Sequence, residues 1–411
     1  MEGNHSRRLL VLGAGPAQLG LLAAARRRDL FVIAVDRDPA APGFQYADRR
    51  AIISVEDEQA IEHLATADPV DGVIAPGIDW PVAIAARVSE RLGIPHPVSS
   101  ESALLATSKL RQRERFAASG VPQPRYDVCS SEAEAAAAAD SLGYPCVLKP
   151  IDRQGQRGLT IVEEPEALGA AIEDALRESR SGVFLVEELV DGPEVTVNAF
   201  TVRGRFHPLT VTDRVVASPP AFGVALAHVW RSSLDPQTVG AAVEAASAAA
   251  EALGIEDGPT YTQLRIGREG PRVGELAARL GGGHDAELCA AALGVDLNGL
   301  ALAAVLGDEI PERALVPIER AGGACVRFLV APPGELRAVE GVDDACAVDG
   351  VLDVCLYRRP GHRFGELRHG SDRAGAVIAV GTTREEALAR TRRAAECVRF
   401  DTVVEALASH T

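Results

Sequence analysis

Three residues with chemical potential stand close together in the stretch TYTQLRIGREGPRVGELAARLGGGHDAEL, residues 260–288: Gln263, Glu275 and Arg279, with three consecutive glycines just beyond. Residues 261–266 alternate as a strand should, 267–271 is turn material, and 273–276 resumes extended structure. If the two runs pair as a hairpin, Gln263 and Glu275 face the same side, with Arg279 beyond them. A carboxylate, an amide oxygen and a guanidinium beside a glycine loop suit a magnesium-bound polyphosphate. Taken alone, the same residues also read as a solvated hairpin. Two lysines add to the set, Lys109 opening a basic helix over 109–118 and Lys149 ending an apolar strand over 145–150.

The elements that must position these groups follow from the rest of the chain. Residues 8–25 read as a buried strand, a glycine turn (AGPAQLG) and a helix, and a second strand over 30–35 ends at Asp36. This opens a doubly wound α/β unit whose turn offers N–H groups at a helix N-terminus. Gln18 stands where the dinucleotide fingerprint has its third glycine, so that fingerprint is partial. Asp79 lies at the end of the apolar strand over 72–75, where open α/β sheets bind ligands, and serves equally well as a helix N-cap. A small α/β module follows, with an alanine-rich helix near 133–139 that alanine's high propensity explains. Strands dominate 184–212, and the long segment 213–233 is expected to be a substrate-facing loop followed by a strand.

Composition bounds the function. With 411 residues, 47% hydrophobic and 24% charged, the chain has length for two or three domains with real cores. The balance of 42 basic against 58 acidic residues, a formal charge of −16, argues against a general nucleic-acid or anionic-membrane surface. Seven cysteines without a C-x-x-C pair predict reduced thiols and a cytoplasmic protein. No run approaches the roughly 20 apolar residues of a membrane span.

In order, the segments GAGPAQLG, TSK, VLKP, QGQRG, VEELVDGPEVTV, GELAARLGGG and DRAGAVIAVGTTREEAL resemble the ATP-grasp superfamily. The nearest branch is that of the carboxylate–amine ligases that join amino acids into dipeptides. The resemblance spans nearly the whole chain. It implies α/β and α+β architecture: an N-terminal Rossmann-like pre-ATP-grasp domain (1–94), a linker and central small lobe (95–191), and a large C-terminal lobe with a terminal subdomain (192–411).

The resemblance also implies roles. Lys109 and Lys149 would meet ATP phosphates as point charges, and the loop with Gln154, Gly155 and Gly158 would close over them. Glu187, Glu188, Leu189 and Val190 would form the segment that reads adenine through backbone groups, with Glu194 near the ribose. Glu275 matches the second metal-binding glutamate and Arg279 the arginine of the family's E-x-N-x-R, with Ala277 in place of the asparagine. Gln263 falls where the first glutamate is expected, and an amide oxygen binds Mg²⁺ without offsetting charge. Lys149, Arg279 and Glu275 would be the catalytic set, and ATP with Mg²⁺ or Mn²⁺ the cofactors. Asp79, Asp213, Arg214, His228, Arg231, Gly282, Gly283 and His284 would line the substrate pocket; for Asp213, Arg214, His228 and Arg231 a surface role is the competing reading.

The implied reaction is phosphorylation of a carboxylate, followed by capture of the acylphosphate by an amine, giving ADP and phosphate. Partners would then be small-molecule acids and amines, with a homodimer allowed. An ATP-binding protein with weak or lost ligase activity and a bicarbonate-using carboxylase-like or purine-pathway enzyme share the fold and stay open.

Overall fold

A computed structural model describes residues 6–152, 158–218, 221 and 223–404. The first sheet joins β1 (Arg8–Leu12), β2 (Phe31–Val35), β3 (Arg49–Ala51) and β4 (Gly72–Ile74), all parallel, in the order β3-β2-β1-β4. Its central strands are continuous apolar runs because both faces are covered. Leu9 and Val11 of β1 join the core containing α1 (Leu19–Arg27), whereas Leu10 and Leu12 join the core that takes in α2 (Glu58–Ala67) and α3 (Trp80–Leu92). The first of these cores extends into the C-terminal half of the chain, so this domain and the large sheet share buried surface.

Two helices, α4 (Ser100–Thr107) and α5 (Lys109–Ala118), lead to the second sheet. Ser108 separates them by accepting the Arg111 N–H as N-cap of α5, which leaves Lys109 in the first turn. The second sheet comprises β5 (Tyr126–Cys129), β6 (Cys146–Pro150), β7 (Thr160–Val162) and β8 (Phe184–Glu188) in the antiparallel order β5-β8-β6-β7. Helices α6 (Glu132–Leu142) and α7 (Leu168–Glu178) share its core.

The large sheet is built from β9 (Glu194–Val202), β10 (Arg205–Val216), β11 (Ala225–Trp230), β12 (Gly258–Gly267), β13 (Gly270–Ala277) and β14 (Gly323–Leu329), completed by later strands. These are β16 (Val351–Leu356) and β18 (Gly375–Gly381), in the order β13-β12-β9-β10-β11-β14-β18-β16. The strands β15 (Gly334–Glu340), β17 (Arg363–Phe364) and β19 (Arg399–Val403) form a separate three-stranded sheet. Helices α8 (Pro236–Ala252), α9 (Asp285–Leu293), α10 (Leu297–Val305), α11 (Val342–Cys346) and α12 (Arg384–Cys397) complete the chain. No single helix among the described residues is long and apolar enough to cross a membrane.

Strand alternation gives the large sheet two unlike faces. Val195, Val197, Leu264 and Leu276 face α8, whose buried Ala242, Ala245, Ala246 and Ala249 let it approach closely. The opposite face carries Glu194, Thr196, Asn198, Arg214, Tyr261, Gln263 and Glu275, paired across strands as Asn198 with Tyr261, Thr196 with Gln263 and Gln263 with Glu275. In the segment expected as a loop followed by a strand, β10 runs on to Val216 and β11 covers Ala225–Trp230. Antiparallel pairing of Arg214 with His228 satisfies the backbone there.

Candidate active site

The hairpin of β12 and β13 turns at Gly267 and Gly270, so simple counting would set Gln263 opposite residue 274. A bulge between Gln263 and Leu264 sets it opposite Glu275 instead. Gln263 Nε2 then donates to Glu275 Oε1 at 3.0 Å. Glu275 is enclosed: burial pushes its carboxyl up, but Lys109, Lys149, Arg279 and Arg214 outweigh burial and hold it below the usual carboxylate range. Cations from α5, β6, β10 and the segment after β13 thus all favour the ionised form of one carboxylate.

Three of those cations have carboxylate partners of their own. Lys149 Nζ lies 2.7 Å from Glu187 Oε2, and burial pulls the lysine down while Glu187 opposes it. Arg214 Nε lies 2.9 Å from Glu194 Oε1 and Arg214 Nη1 donates to the Tyr261 hydroxyl at 3.1 Å. Arg279 Nη2 lies 2.5 Å from Asp79 Oδ1, with its guanidinium 5.2 Å from the Tyr261 ring centre. Asp79 therefore makes no side-chain cap for α3; it carries the end of the first sheet to Arg279. Gly282 permits that approach, since a Cβ there would come within 2.8 Å of the Gly77 carbonyl.

Glu187 is buried and Glu188 is partly exposed. Glu187 is 4% exposed and accepts from Arg113 as well as Lys149, which holds its carboxyl at about 2 against the opposing effect of burial. Glu188 Oε2 pairs with Arg125 Nε at 2.7 Å. Leu189 and Val190 follow β8, and the Val190 carbonyl accepts from Arg265 Nη1 at 3.0 Å. Gln154 and Gly155 lie outside the described residues. Gly158 adopts φ +69° against Pro150 and Glu178, a backbone conformation suited to glycine.

The expected substrate residues divide by sheet face. Arg214 and His228 are register partners, and His228 Nδ1 lies 3.1 Å from Asp285 Oδ1. Asp213 belongs to the opposite face, where it accepts from Ser232 Oγ, Ser233 N and Oγ, and Arg384 Nη2. Its bonds tie β10 to α12, away from the face that would line a substrate pocket. Arg231 is also displaced: it lies beyond the end of β11, is 53% exposed and pairs with Glu319. The Gly283 N–H donates to Asp285 Oδ2 at 3.2 Å, so this N–H of the glycine loop is used internally. His284 is buried, with Nε2 2.7 Å from the Tyr357 hydroxyl.

At the N-terminal turn, Gln18 is 1% exposed and donates Nε2 to the Pro76 carbonyl at 2.6 Å, while the Ala14 N–H donates to Asp36. The side chain lies across Gly13, whose Cβ would fall 2.9 Å from Gln18 Cδ. This turn stitches two strands together in place of an open anion cradle.

Sequence reasoning missed Arg113 and Asp285. Arg113 follows Lys109 by four residues on α5, a spacing that shares a helix face. Asp285 opens α9, where a first-turn acid is ordinary; only the fold sets it against His228. Burial raises the Asp285 carboxyl, but His228, the Gly283 N–H and Arg214 prevail and hold it at about 2. With Glu187 also at about 2 and both ordinary values near 4, the folded state binds fewer protons than the unfolded chain. The stability these groups contribute is present above about pH 4 and lost as pH falls toward 2. Thermal midpoints measured from pH 5 to 2 are expected to fall steeply, and less so in Asp285→Asn; an identical slope in that variant would contradict the assignment.

Comparison with known proteins agrees with this architecture. Residues 142–287 match the ATP-grasp domain family and residues 327–403 match L-amino acid ligase C-terminal domain 2. An uncharacterized protein of Sinorhizobium fredii is 29% identical over 97% of this chain and 84% of its own length. A formate-dependent phosphoribosylglycinamide formyltransferase of Burkholderia cenocepacia is 29% identical over 95% of each chain. The crystal structure of L-amino acid ligase from Bacillus licheniformis superposes with a TM-score of 0.81 at 20% identity, covering 97% of this chain and 99% of that one. The middle third of the chain is therefore an ATP-grasp domain. Proteins with this domain are ADP-forming enzymes that use ATP and Mg²⁺, and the C-terminal segment of this chain is of the L-amino acid ligase type.

Proposed function

We propose that this protein activates the carboxylate of an amino acid or a related small acid as an acylphosphate and couples it to an amine, forming an amide or peptide bond. The observation that carries the reading is Glu275 paired with Gln263 at 3.0 Å on the sheet face that also bears Arg214, with Arg279 on the ring of Tyr261 and Lys149 held by Glu187. Lysine and arginine side chains gathered at one place suit the anionic phosphates of ATP, and the L-amino acid ligase segment over 327–403 favours an amino-acid substrate. We further propose lobe boundaries near residues 94 and 191.

In this reading Lys109 and Lys149 bind phosphate oxygens, and Arg279 stabilises charge on the transferring group. The donor set fits one magnesium held by the Glu275 carboxylate and the Gln263 amide oxygen; among the described residues no group of three or more His, Cys, Asp or Glu gathers to form a protein-only cage. Bound there, Mg²⁺ would supply charge neutralisation for the phosphates. Asp79 and Glu187 hold Arg279 and Lys149 in place before substrate arrives, and the fixed dipoles need no reorganisation during transfer.

The test is ADP release across pairs of carboxylates and amines with Mg²⁺ or Mn²⁺, with product masses measured. Substrate-dependent release with an amino-acid pair supports the reading, and no release with any pair overturns it. The 29% identity to a formate-dependent formyltransferase across 95% of both chains motivates a second arm with formate and glycinamide ribonucleotide; release there alone would move the reading to that chemistry. Replacing Gln263 with glutamate adds a carboxylate opposite Glu275 and is expected to lower the Mg²⁺ concentration for half-maximal activity about tenfold. An unchanged metal titration would show that residue 263 is not a ligand.

A further inference from the structure

Arg113 touches both lobes at once. It is 1% exposed, and its Nε donates to Glu187 Oε1 of the small sheet at 2.7 Å. Its other nitrogens donate to the carbonyls of Val273 at 3.1 Å and Gly274 at 2.8 Å on β13, and to Gln123 Oε1 at 3.3 Å. Glu187 holds Lys149 with its second oxygen, and Val273 and Gly274 are the two residues before Glu275. Gly274 is the extra residue of the bulge that turns Glu275 toward Gln263. One planar guanidinium therefore reaches a lysine of one lobe through a carboxylate and a glutamate of the other through the backbone, a pattern that the fork of arginine makes and a lysine cannot.

We propose that Arg113 is a positioning residue that sets Lys149 and Glu275 in register across the two lobes. It neutralises one oxygen of Glu187, so that Lys149 keeps charge available for phosphate, and it fixes the bulge that aims Glu275. The inference rests on the reading of Lys149 as a phosphate ligand.

The experiment measures MgADP binding by titration calorimetry, turnover, and thermal unfolding in the full chain. In Arg113→Met, Glu187 has Lys149 as its remaining cation, and the MgADP Kd is expected to rise about tenfold or more. Adding Glu187→Gln in the same chain releases Lys149 and is expected to return Kd to within about threefold of the parent. A merely structural arginine predicts a double variant that binds no better than the single one, and that result overturns the proposal. Arg113→Lys retains a charge beside Glu187 but loses the carbonyl bonds. Its Kd is expected to stay near the parent's while kcat falls about tenfold; equal losses in both would overturn the two-armed role. If Lys149→Ala binds MgADP as tightly as the parent, the phosphate-binding reading of Lys149 itself fails. If that variant binds weakly and Arg113→Met does not, the role of Arg113 alone fails.

Discussion

Replacing Glu275 with alanine is expected to lower ADP release by about a thousandfold or more, the loss of a metal ligand and of charge placed for the transition state. Glu275 faces Gln263 across the hairpin and lies within the influence of Lys109, Lys149, Arg279 and Arg214. Without it the cations remain and the magnesium anchor does not. The affinity for metal-free ADP is therefore expected to hold or rise, while the additional affinity conferred by Mg²⁺ disappears. Glu275→Gln, which preserves shape but not charge, should behave in the same way. Titrations with and without Mg²⁺, alongside ADP release, separate this outcome from unfolding. Near-normal turnover in either variant would sink the assignment.

The second large effect is expected at Lys149, where alanine should reduce turnover by about a hundredfold to a thousandfold. The lysine is nearly enclosed and already aligned by Glu187 at 2.7 Å, so its charge is held in place before nucleotide binds. Lys149→Arg is not a conservative alternative, because a guanidinium would engage Glu187 through its fork and change the reach toward phosphate. It too is expected to be severely impaired. Steady-state rates at saturating ATP, compared with thermal midpoints, decide the point: wild-type rates in Lys149→Ala would remove the residue from the catalytic set.

Much of this was legible in the residues. The turn at Gly267 and Gly270 and the alternation of 261–266 marked the hairpin, and a lysine at the end of an apolar strand marked Lys149 as unusual. Side-chain partners were less legible, because sequence spacing says which residues share a face of one element and nothing about which elements meet. Asp213 and Arg214 are neighbours in sequence, yet strand alternation sends one to α12 and the other to Glu194. Glu187, an ordinary solvated carboxylate by composition, is buried between an arginine from α5 and a lysine from β6.

The sequence by itself determined the family resemblance, the order of the elements, and the identity of the charges brought to the site. Local propensity and apolar periodicity are properties of short segments, so they survive without tertiary context. The tertiary structure decided the direction of Glu275. Counting back from the hairpin turn would set residue 274 against Gln263, and the bulge at Gly274, with its carbonyl held by Arg113 from 161 residues away, sets Glu275 there instead. A one-residue slip in a strand sends a side chain to the other face, and a bond between distant parts of the chain fixed which face that was.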